Sequence, residues 1–214
     1  MSGRIVAINC SPRKGWNTDM LITEAVRGAE EAGYSTEKFD LYRLEHFTGC
    51  LSCFSCKRAG HEGECVLKDG LTDVLTSIKE ADGLILGTPI YFGDVTAGFR
   101  ALYERIMFPN LTYQKERMTY SDKKIPVLLI VTSNAPEAAY SVIGYKKMLN
   151  EYCKTLKNFV GPAKLLISGE TQQVPDYSKY NWTMIDGAKH VRRRQEVFPK
   201  EMEKAYMLGK DLLG

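Results

Sequence analysis

Short apolar runs alternate with amphipathic segments along almost the whole chain, and this alternation constrains the fold more than any other feature of the sequence. The strand-like runs are residues 4–9, 35–41, 83–88, 125–132 and 163–168. Apolar residues recur at helical spacing in residues 17–32, 71–81, 97–107, 139–159 and 199–213. This order predicts an α/β fold, in which a five-stranded parallel sheet carries helices on both faces. Right-handed crossovers then leave only a few doubly wound topologies.

The length of 214 residues suits one α/β domain with a sizeable core. We therefore predict a single domain over residues 1–214, with a cysteine-rich loop at residues 48–68 and a long polar arm at residues 169–197. The alternation of strands and helices does not explain this arm, which contains Tyr177, Tyr180 and Trp182. Because aromatic side chains are enriched at protein interfaces, the arm predicts a homo-oligomer.

The charge balance gives no sign of a highly charged partner. The chain has 29 basic and 26 acidic residues and a net charge of +3, which does not point to nucleic acid or to a membrane surface. The basic run at residues 192–194 is expected to be a solvated surface turn. No apolar stretch approaches the roughly 18 residues of a membrane span, and no secretory signal is visible. The expected location is the cytoplasm.

The loop after the first predicted strand carries a set of short polar side chains, and we name residues 9–18 the first loop. In an open α/β sheet, ligands bind beyond the carboxyl ends of the strands. Ser11, Asn17, Thr18 and the guanidinium of Arg13, with the start of a predicted helix, suit a phosphate monoester. The loop lacks the G-x-G-x-x-G and G-x-x-x-x-G-K-[ST] patterns. An ordinary strand-to-helix turn capped by Asn17 or Thr18 remains the alternative.

Two motifs at the same predicted edge of the sheet resemble a known family. They are Ser11-Pro12-Arg13 followed by Asn17-Thr18, and Thr88-Pro89-Ile90-Tyr91-Phe92-Gly93 after the third strand. Together they resemble the NAD(P)H-dependent FMN reductase family, and within it the iron–sulfur flavoprotein branch. The resemblance implies a flavodoxin-like fold, FMN as the cofactor, and a homodimer or homotetramer.

The resemblance also assigns roles to residues of this chain. It implies that the FMN phosphate is held by Ser11, Arg13, Asn17 and Thr18. It implies that the isoalloxazine ring is lined by Pro89, Ile90, Tyr91, Phe92 and Gly93. Gly93 and Asp94 favour a loop at this point, where close backbone approach and aromatic faces suit a flat ring. Ser133 and Asn134, after the fourth strand, are weaker candidates at the same edge.

Four of the six cysteines lie close together in the sequence, at Cys50, Cys53, Cys56 and Cys65. Four thiolates can hold a 4Fe–4S cluster or a zinc ion. Three tightly spaced cysteines with one outlier suit an iron–sulfur site better than the paired spacing of zinc sites. The resembling branch carries a compact four-cysteine motif in this loop and a 4Fe–4S cluster on it. A cluster, unmetallated thiols and zinc remain the three alternatives.

The favoured function is an FMN-binding oxidoreductase that passes electrons from NAD(P)H or a redox protein donor to an acceptor. An alternative is an electron-transfer module with a 4Fe–4S cluster on the four cysteines. A third candidate is a thiol or metal redox sensor without flavin. No side chain stands out as a general acid or base, and no catalytic residue is predicted.

Overall fold

The fold is built on one twisted sheet. The computed structural model describes residues 3–214. The strands are β1 (Arg4–Asn9), β2 (Ser35–Asp40), β3 (Gly83–Tyr91), β4 (Asp94–Val95), β5 (Val127–Thr132) and β6 (Ala163–Ser168). Five of them are parallel in the order β2–β1–β3–β5–β6, and the short β4 pairs antiparallel with the end of β3. The predicted five-stranded parallel sheet is confirmed, with β4 as an addition.

Helices cover both faces of this sheet. They are α1 (Asn17–Glu31), α2 (Thr72–Glu80), α3 (Ala97–Asn110), α4 (Tyr145–Phe159), α5 (Gly187–Glu196) and α6 (Phe198–Lys210). Side chains alternate along each strand, so that Ile5 and Ala7 pack under α1 and α6 while Val6 and Ile8 pack under α2, α3 and α4. None of the helices within residues 3–214 is long and apolar enough to cross a membrane.

Two expected elements differ from the structure. The helix predicted at residues 139–159 begins at Tyr145, because Gly144 has a φ of 85° and lies outside the helical region. The arm at residues 169–197 contains a helix of its own, α5, whose first turn is capped by the carboxylate of Asp186. The basic run at residues 192–194 therefore lies on a helix, and its prediction as a surface turn is wrong.

Helices α1 and α6 approach each other through glycines. A Cβ atom at Gly209 would lie 1.9 Å from the carbonyl oxygen of Ala25, and one at Gly28 would lie 2.0 Å from that of Tyr206. The contacting atoms belong to helix backbone, which cannot move as a side chain can. The pair thus fixes how closely α6 packs on the helix that begins at the first loop.

We expect Gly209→Ala to lower the free energy of unfolding by about 2 kcal/mol. Alanine favours a helix by about 1 kcal/mol over glycine, but forcing a methyl group into backbone costs more than that. Urea unfolding should show a lower midpoint with an unchanged slope. Lys210→Ala, on the exposed neighbouring position, is the control and should leave the midpoint within error. A more stable Gly209→Ala protein would contradict this account of the helix pair.

Candidate functional site

Loops after three strands meet at the carboxyl edge of the sheet. The side-chain amide of Asn9 donates to Asp40 at 3.0 Å and accepts from the backbone amide of Ser11 at 3.0 Å, which ties the ends of β1 and β2 together. The hydroxyls of Thr18 and Thr132 are hydrogen-bonded at 2.8 Å, which joins the start of α1 to the end of β5. Residues far apart in the sequence are therefore held around the first loop.

The amino terminus of α1 presents backbone donors without acceptors. Its N-cap residue is Trp16, whose side chain makes no capping hydrogen bond, so neither Asn17 nor Thr18 acts as the predicted cap. Within residues 3–214 the backbone amides of Asn17, Thr18 and Asp19 find no acceptor. Free amides at the positive end of a helix dipole form an anion site. This geometry fits the phosphate of FMN.

The arm lies over the side-chain donors of the first loop. The carbonyl of Gln172 accepts from Asn17 at 2.8 Å and from the Trp16 indole at 3.0 Å. The carbonyl of Gln173 accepts from the guanidinium of Arg13 at 2.5 Å, and that guanidinium lies 4.5 Å from the centre of the Trp16 ring. Arg13 and Asn17 are thus close to the free amides but are paired with the arm. A phosphate would take the place of these carbonyl acceptors.

A second cation reaches the first loop from the arm. Arg194 on α5 donates to the side-chain oxygen of Asn17 at 2.6 Å, and its guanidinium lies 4.1 Å from the centre of the Phe198 ring. Burial lowers the pKa of this guanidinium. Sequence analysis assigned no role to Arg194, because nothing in a run of three arginines tells which one turns inward.

The proposed ring-binding segment is a hairpin, and the expected loop at Ile90 and Tyr91 is wrong. Strand β3 continues to Tyr91 and returns as β4 through a two-residue turn at Phe92 and Gly93, with φ values of 50° and 89°. Because side chains alternate along a strand, Ile90 is buried in the core while Tyr91 is exposed. Pro89 belongs to the same strand.

Exposed aromatic surface nevertheless stands beside the first loop. Phe92 is fully exposed at the tip of the hairpin. Burial raises the pKa of Tyr91, and the positive charge of Arg13 acts in the opposite direction. Tyr91 and Phe92 are therefore available to a flat ring whose phosphate lies at the first loop, whereas Ile90 is not.

The third predicted loop supplies only one free side chain. Ser133 is buried, and its hydroxyl is bonded to the carbonyl of Ala135 at 2.8 Å and to the hydroxyl of Tyr140 at 2.7 Å. Asn134 is exposed and accepts a hydrogen bond from the side chain of Gln173. Asn134 is thus placed at the rim of the site, while Ser133 shapes the loop.

Tyr152 on α4 is hydrogen-bonded to the hairpin. Its hydroxyl donates to the carboxylate of Asp94 at 2.9 Å and accepts from Arg100 at 3.3 Å. Burial and the nearby carboxylate raise its pKa to about 12. Sequence patterns gave no sign of this contact, because Tyr152 reads as one more apolar position of an amphipathic helix.

We expect Tyr152→Phe to destabilise the fold by about 1 kcal/mol at pH 7, since it removes one hydrogen bond to a carboxylate. A raised pKa means that the tyrosine contributes stability below its ordinary pKa of 10.0 and loses it as the pH rises towards about 12. Guanidinium unfolding at several pH values should therefore show that the free energy of unfolding falls less steeply with rising alkaline pH in Tyr152→Phe than in the wild type. Equal slopes between pH 10 and 12 would contradict the assignment.

The four clustered cysteines converge in space. Cys50, Cys53, Cys56 and Cys65 all line one small cavity of about 30 Å³, closed by the carboxyl-terminal half of α3. Within the described part of the chain, no three metal-ligating side chains are close enough to share one ion. A zinc ion needs all its sulfurs at about 2.3 Å from one point, whereas a 4Fe–4S cluster binds each thiolate through a different iron. A cluster therefore does not require three of these sulfurs to converge on one ion, as zinc does.

The cysteine-rich loop is strained around Cys53 and exposed on its outer side. Ser52 and Phe54, on either side of Cys53, have φ values of 52° and 58°, which non-glycine residues rarely adopt. Hydrogen bonds from Ser55 lower the pKa of the Cys53 thiol, while burial raises that of the Cys56 thiol. Such strain is typical of functional loops. The exposed residues around Cys53 leave room for the cavity to widen around a cluster.

Comparisons with known proteins agree with this geometry. The chain belongs to the NADPH-dependent FMN reductase family, which it matches over residues 3–155. It is 39% identical over 102 residues to an iron–sulfur flavoprotein of Methanocaldococcus jannaschii, a match that covers 48% of this chain and 51% of that protein. It is 31% identical to an iron–sulfur flavoprotein of Methanosarcina thermophila, again over 48% of this chain and 51% of the relative. The chain thus spans about half the length of the curated relatives it matches.

Solved structures share the fold. An NAD(P)H:quinone oxidoreductase from Methanothermobacter marburgensis has a TM-score of 0.74 at 16% identity and covers 99% of this chain and 100% of its own. An azoreductase from Bacillus anthracis has a TM-score of 0.68 at 13% identity, with coverage of 98% and 99%. The predicted family and flavodoxin-like fold are confirmed, and the relatives support the iron–sulfur flavoprotein branch.

Proposed function

We propose that this chain is an iron–sulfur flavoprotein: an oxidoreductase that binds FMN at the carboxyl edge of its sheet and a 4Fe–4S cluster on its four clustered cysteines. The observation that carries the flavin assignment is the uncapped amino terminus of α1, whose free amides meet two other loops at that edge. The convergence of four cysteines on one cavity carries the cluster assignment. Family membership supports FMN and disfavours the sensor without flavin.

The first loop would hold the phosphate of FMN. The amides of Asn17 and Thr18 are aimed at it, and Arg13 and Arg194 place two positive charges beside it. Ser11 shapes the loop, since its hydroxyl accepts from the amide of Arg13 at 3.2 Å. A phosphate dianion is favoured at such a place because dipole and charges act together.

The hairpin would orient the flavin ring. Tyr91, Phe92 and Gly93 offer aromatic surface and a close backbone approach, and Asn134 lies exposed in the loop after β5. Bound FMN supplies the hydride and single-electron chemistry of the reaction. The chain would orient the FMN, supply an anion site for its phosphate and partly cover the carboxyl edge of the sheet with the arm. No general acid or base is assigned.

The cysteine site lies away from the flavin site along α3. That helix begins at Ala97 beside the carboxyl edge, and Phe108 on the same helix lines the cysteine cavity. At about 1.5 Å per residue, Ala97 and Phe108 lie about 16 Å apart along the helix axis. The two sites are thus distinct, and a cluster would offer a second point at which electrons enter or leave. NAD(P)H is the proposed donor, with a redox protein as the alternative.

The arm is the proposed interface of a homodimer or homotetramer. Tyr180 and Trp182 are stacked at 4.5 Å between ring centres and are both exposed, and Met184 beside them is almost fully exposed. A contiguous apolar patch of this kind favours association. Light scattering of the protein in solution would report its mass directly.

Anaerobic purification followed by absorption spectroscopy tests the proposal. Flavin should give two resolved absorption bands at about 375 and 450 nm, and a cluster should add a broad shoulder. Chemical analysis should find FMN, iron and acid-labile sulfide in the same protein. Flavin without iron would leave a plain FMN oxidoreductase, and iron without flavin would overturn the flavin assignment. Reduction by NAD(P)H on the time scale of turnover would favour the enzyme over the electron-transfer module.

A further inference from the structure

Arg105 on α3 joins both ends of the cysteine-rich loop. Its guanidinium donates to the carbonyl of Thr48 at 3.2 Å, before the first cysteine, and to that of Leu67 at 3.0 Å, after the last. It also pairs with the carboxylate of Asp69 at 2.8 Å. The side chain is 1% exposed, so that this arrangement lies inside the protein. Its terminal nitrogens are therefore used to close the loop.

The remaining nitrogen of Arg105 has no partner. Its Nε–H is a hydrogen-bond donor that is buried and has no acceptor among the described residues. A buried donor left unpaired costs about 1–3 kcal/mol, which native proteins rarely leave uncompensated. Arg105 lines the cavity formed by the four cysteines, as well as a larger neighbouring cavity of about 610 Å³. An acceptor for this nitrogen is thus expected in one of these cavities.

We propose that the Nε–H of Arg105 donates a hydrogen bond to a sulfur of the cluster bound by the four cysteines. This inference rests on the proposed cluster. No cysteine sulfur accepts from Nε in the described chain. A sulfide in the cysteine cavity, which Arg105 lines, would supply the missing acceptor. Arg105 would then both close the loop and raise the reduction potential of the cluster.

Such a hydrogen bond has a defined effect on the cluster's reduction potential. One-electron reduction adds a negative charge to the cluster, and the Nε–H bond stays intact throughout. A donor stabilises the more negative state, so it raises the potential. Removing it should lower the equilibrium constant for reduction about tenfold, which is about 59 mV for a one-electron couple.

Arg105→Lys removes this donor and keeps the positive charge, and it also weakens the closure of the loop by the two terminal nitrogens. In lysine a methylene group stands where arginine has Nε, and the ammonium stands near the centre of the guanidinium, so the positive charge is kept. Asp69→Asn is the matched control, since it weakens the closure of the loop but leaves Nε in place. It also leaves the charge of Arg105 uncompensated, which raises the potential. The two variants therefore shift the potential in opposite directions.

The test is an electron paramagnetic resonance redox titration of wild type, Arg105→Lys and Asp69→Asn after iron and sulfide analysis. A lower potential in Arg105→Lys alone supports the proposal, and an equal fall in both variants, or no change in Arg105→Lys, overturns it. Wild-type protein labelled with ¹⁵N-arginine gives a second measurement that needs no variant. A nitrogen coupling to the reduced cluster supports the bond, and its absence overturns it. Wild type without iron and sulfide overturns the cluster itself, which separates the two failures.

Discussion

Replacing Cys56 by alanine is expected to remove the cluster and leave the flavin. Cys56 is 5% exposed and lies on the inner wall of the cavity that all four cysteines line. Loss of one of four thiolate ligands exposes an iron to solvent, so iron and acid-labile sulfide should fall at least about tenfold. FMN content should stay within about a quarter of the wild-type value, because Cys56 belongs to a different loop from the residues proposed to hold FMN. Metal, sulfide and flavin analysis of anaerobically purified protein measures all three.

Cys153→Ala provides the matched control for that experiment. Cys153 lies on α4, is partly buried and does not line the cysteine cavity. Both changes remove one thiol of similar size, so a general effect of losing sulfur from the interior would appear in both variants. Unchanged iron in Cys56→Ala, or equal losses in the two variants, would contradict the assignment of the cluster to this loop.

The strands could be predicted from the sequence because the sheet is buried on both faces. Residues 5–8 are apolar and buried on both sides, and the bounds of the predicted run 4–9 agree with β1. The bounds of the run 163–168 agree with β6, although Lys164 in it is exposed. At β3 the prediction stopped too early. Phe92 and Gly93 form a two-residue hairpin turn, and the strand continues to that turn instead of ending before it.

The candidate site could be predicted only where its residues are neighbours in the sequence. Ser11, Asn17 and Thr18 lie in one loop, and the four cysteines lie within sixteen residues of one another along the chain. Arg105 and Arg194 could not be found in this way. Arg105 meets Asp69 across 36 residues and Arg194 meets Asn17 across 177 residues, and local patterns do not encode such contacts.

The first loop should lose its preference for FMN when Asn17 is changed to aspartate. The new carboxylate would lie beside the phosphate, and two charges about 4 Å apart repel by about 4 kcal/mol at an effective dielectric constant near 20. Arg13 and Arg194 offset part of this, so we expect FMN to bind roughly 100-fold more weakly. Riboflavin, which lacks the phosphate, should bind within about threefold of the wild type. Flavin fluorescence titration of the apoprotein with both ligands measures the ratio.

The same change should not unfold the protein, so weaker FMN binding can be attributed to the phosphate site. Aspartate in the first turn of a helix is favourable by about 0.3–1 kcal/mol, and Arg194 gains a full negative charge as its partner. These gains offset the lost hydrogen bond from Asn17 to the carbonyl of Gln172. Asn17→Ala is the neutral control: it loses both contacts without adding charge, and FMN should bind to it better than to Asn17→Asp. Equal weakening of FMN and riboflavin in Asn17→Asp would place the phosphate elsewhere, because only a charge beside the phosphate can tell the two ligands apart.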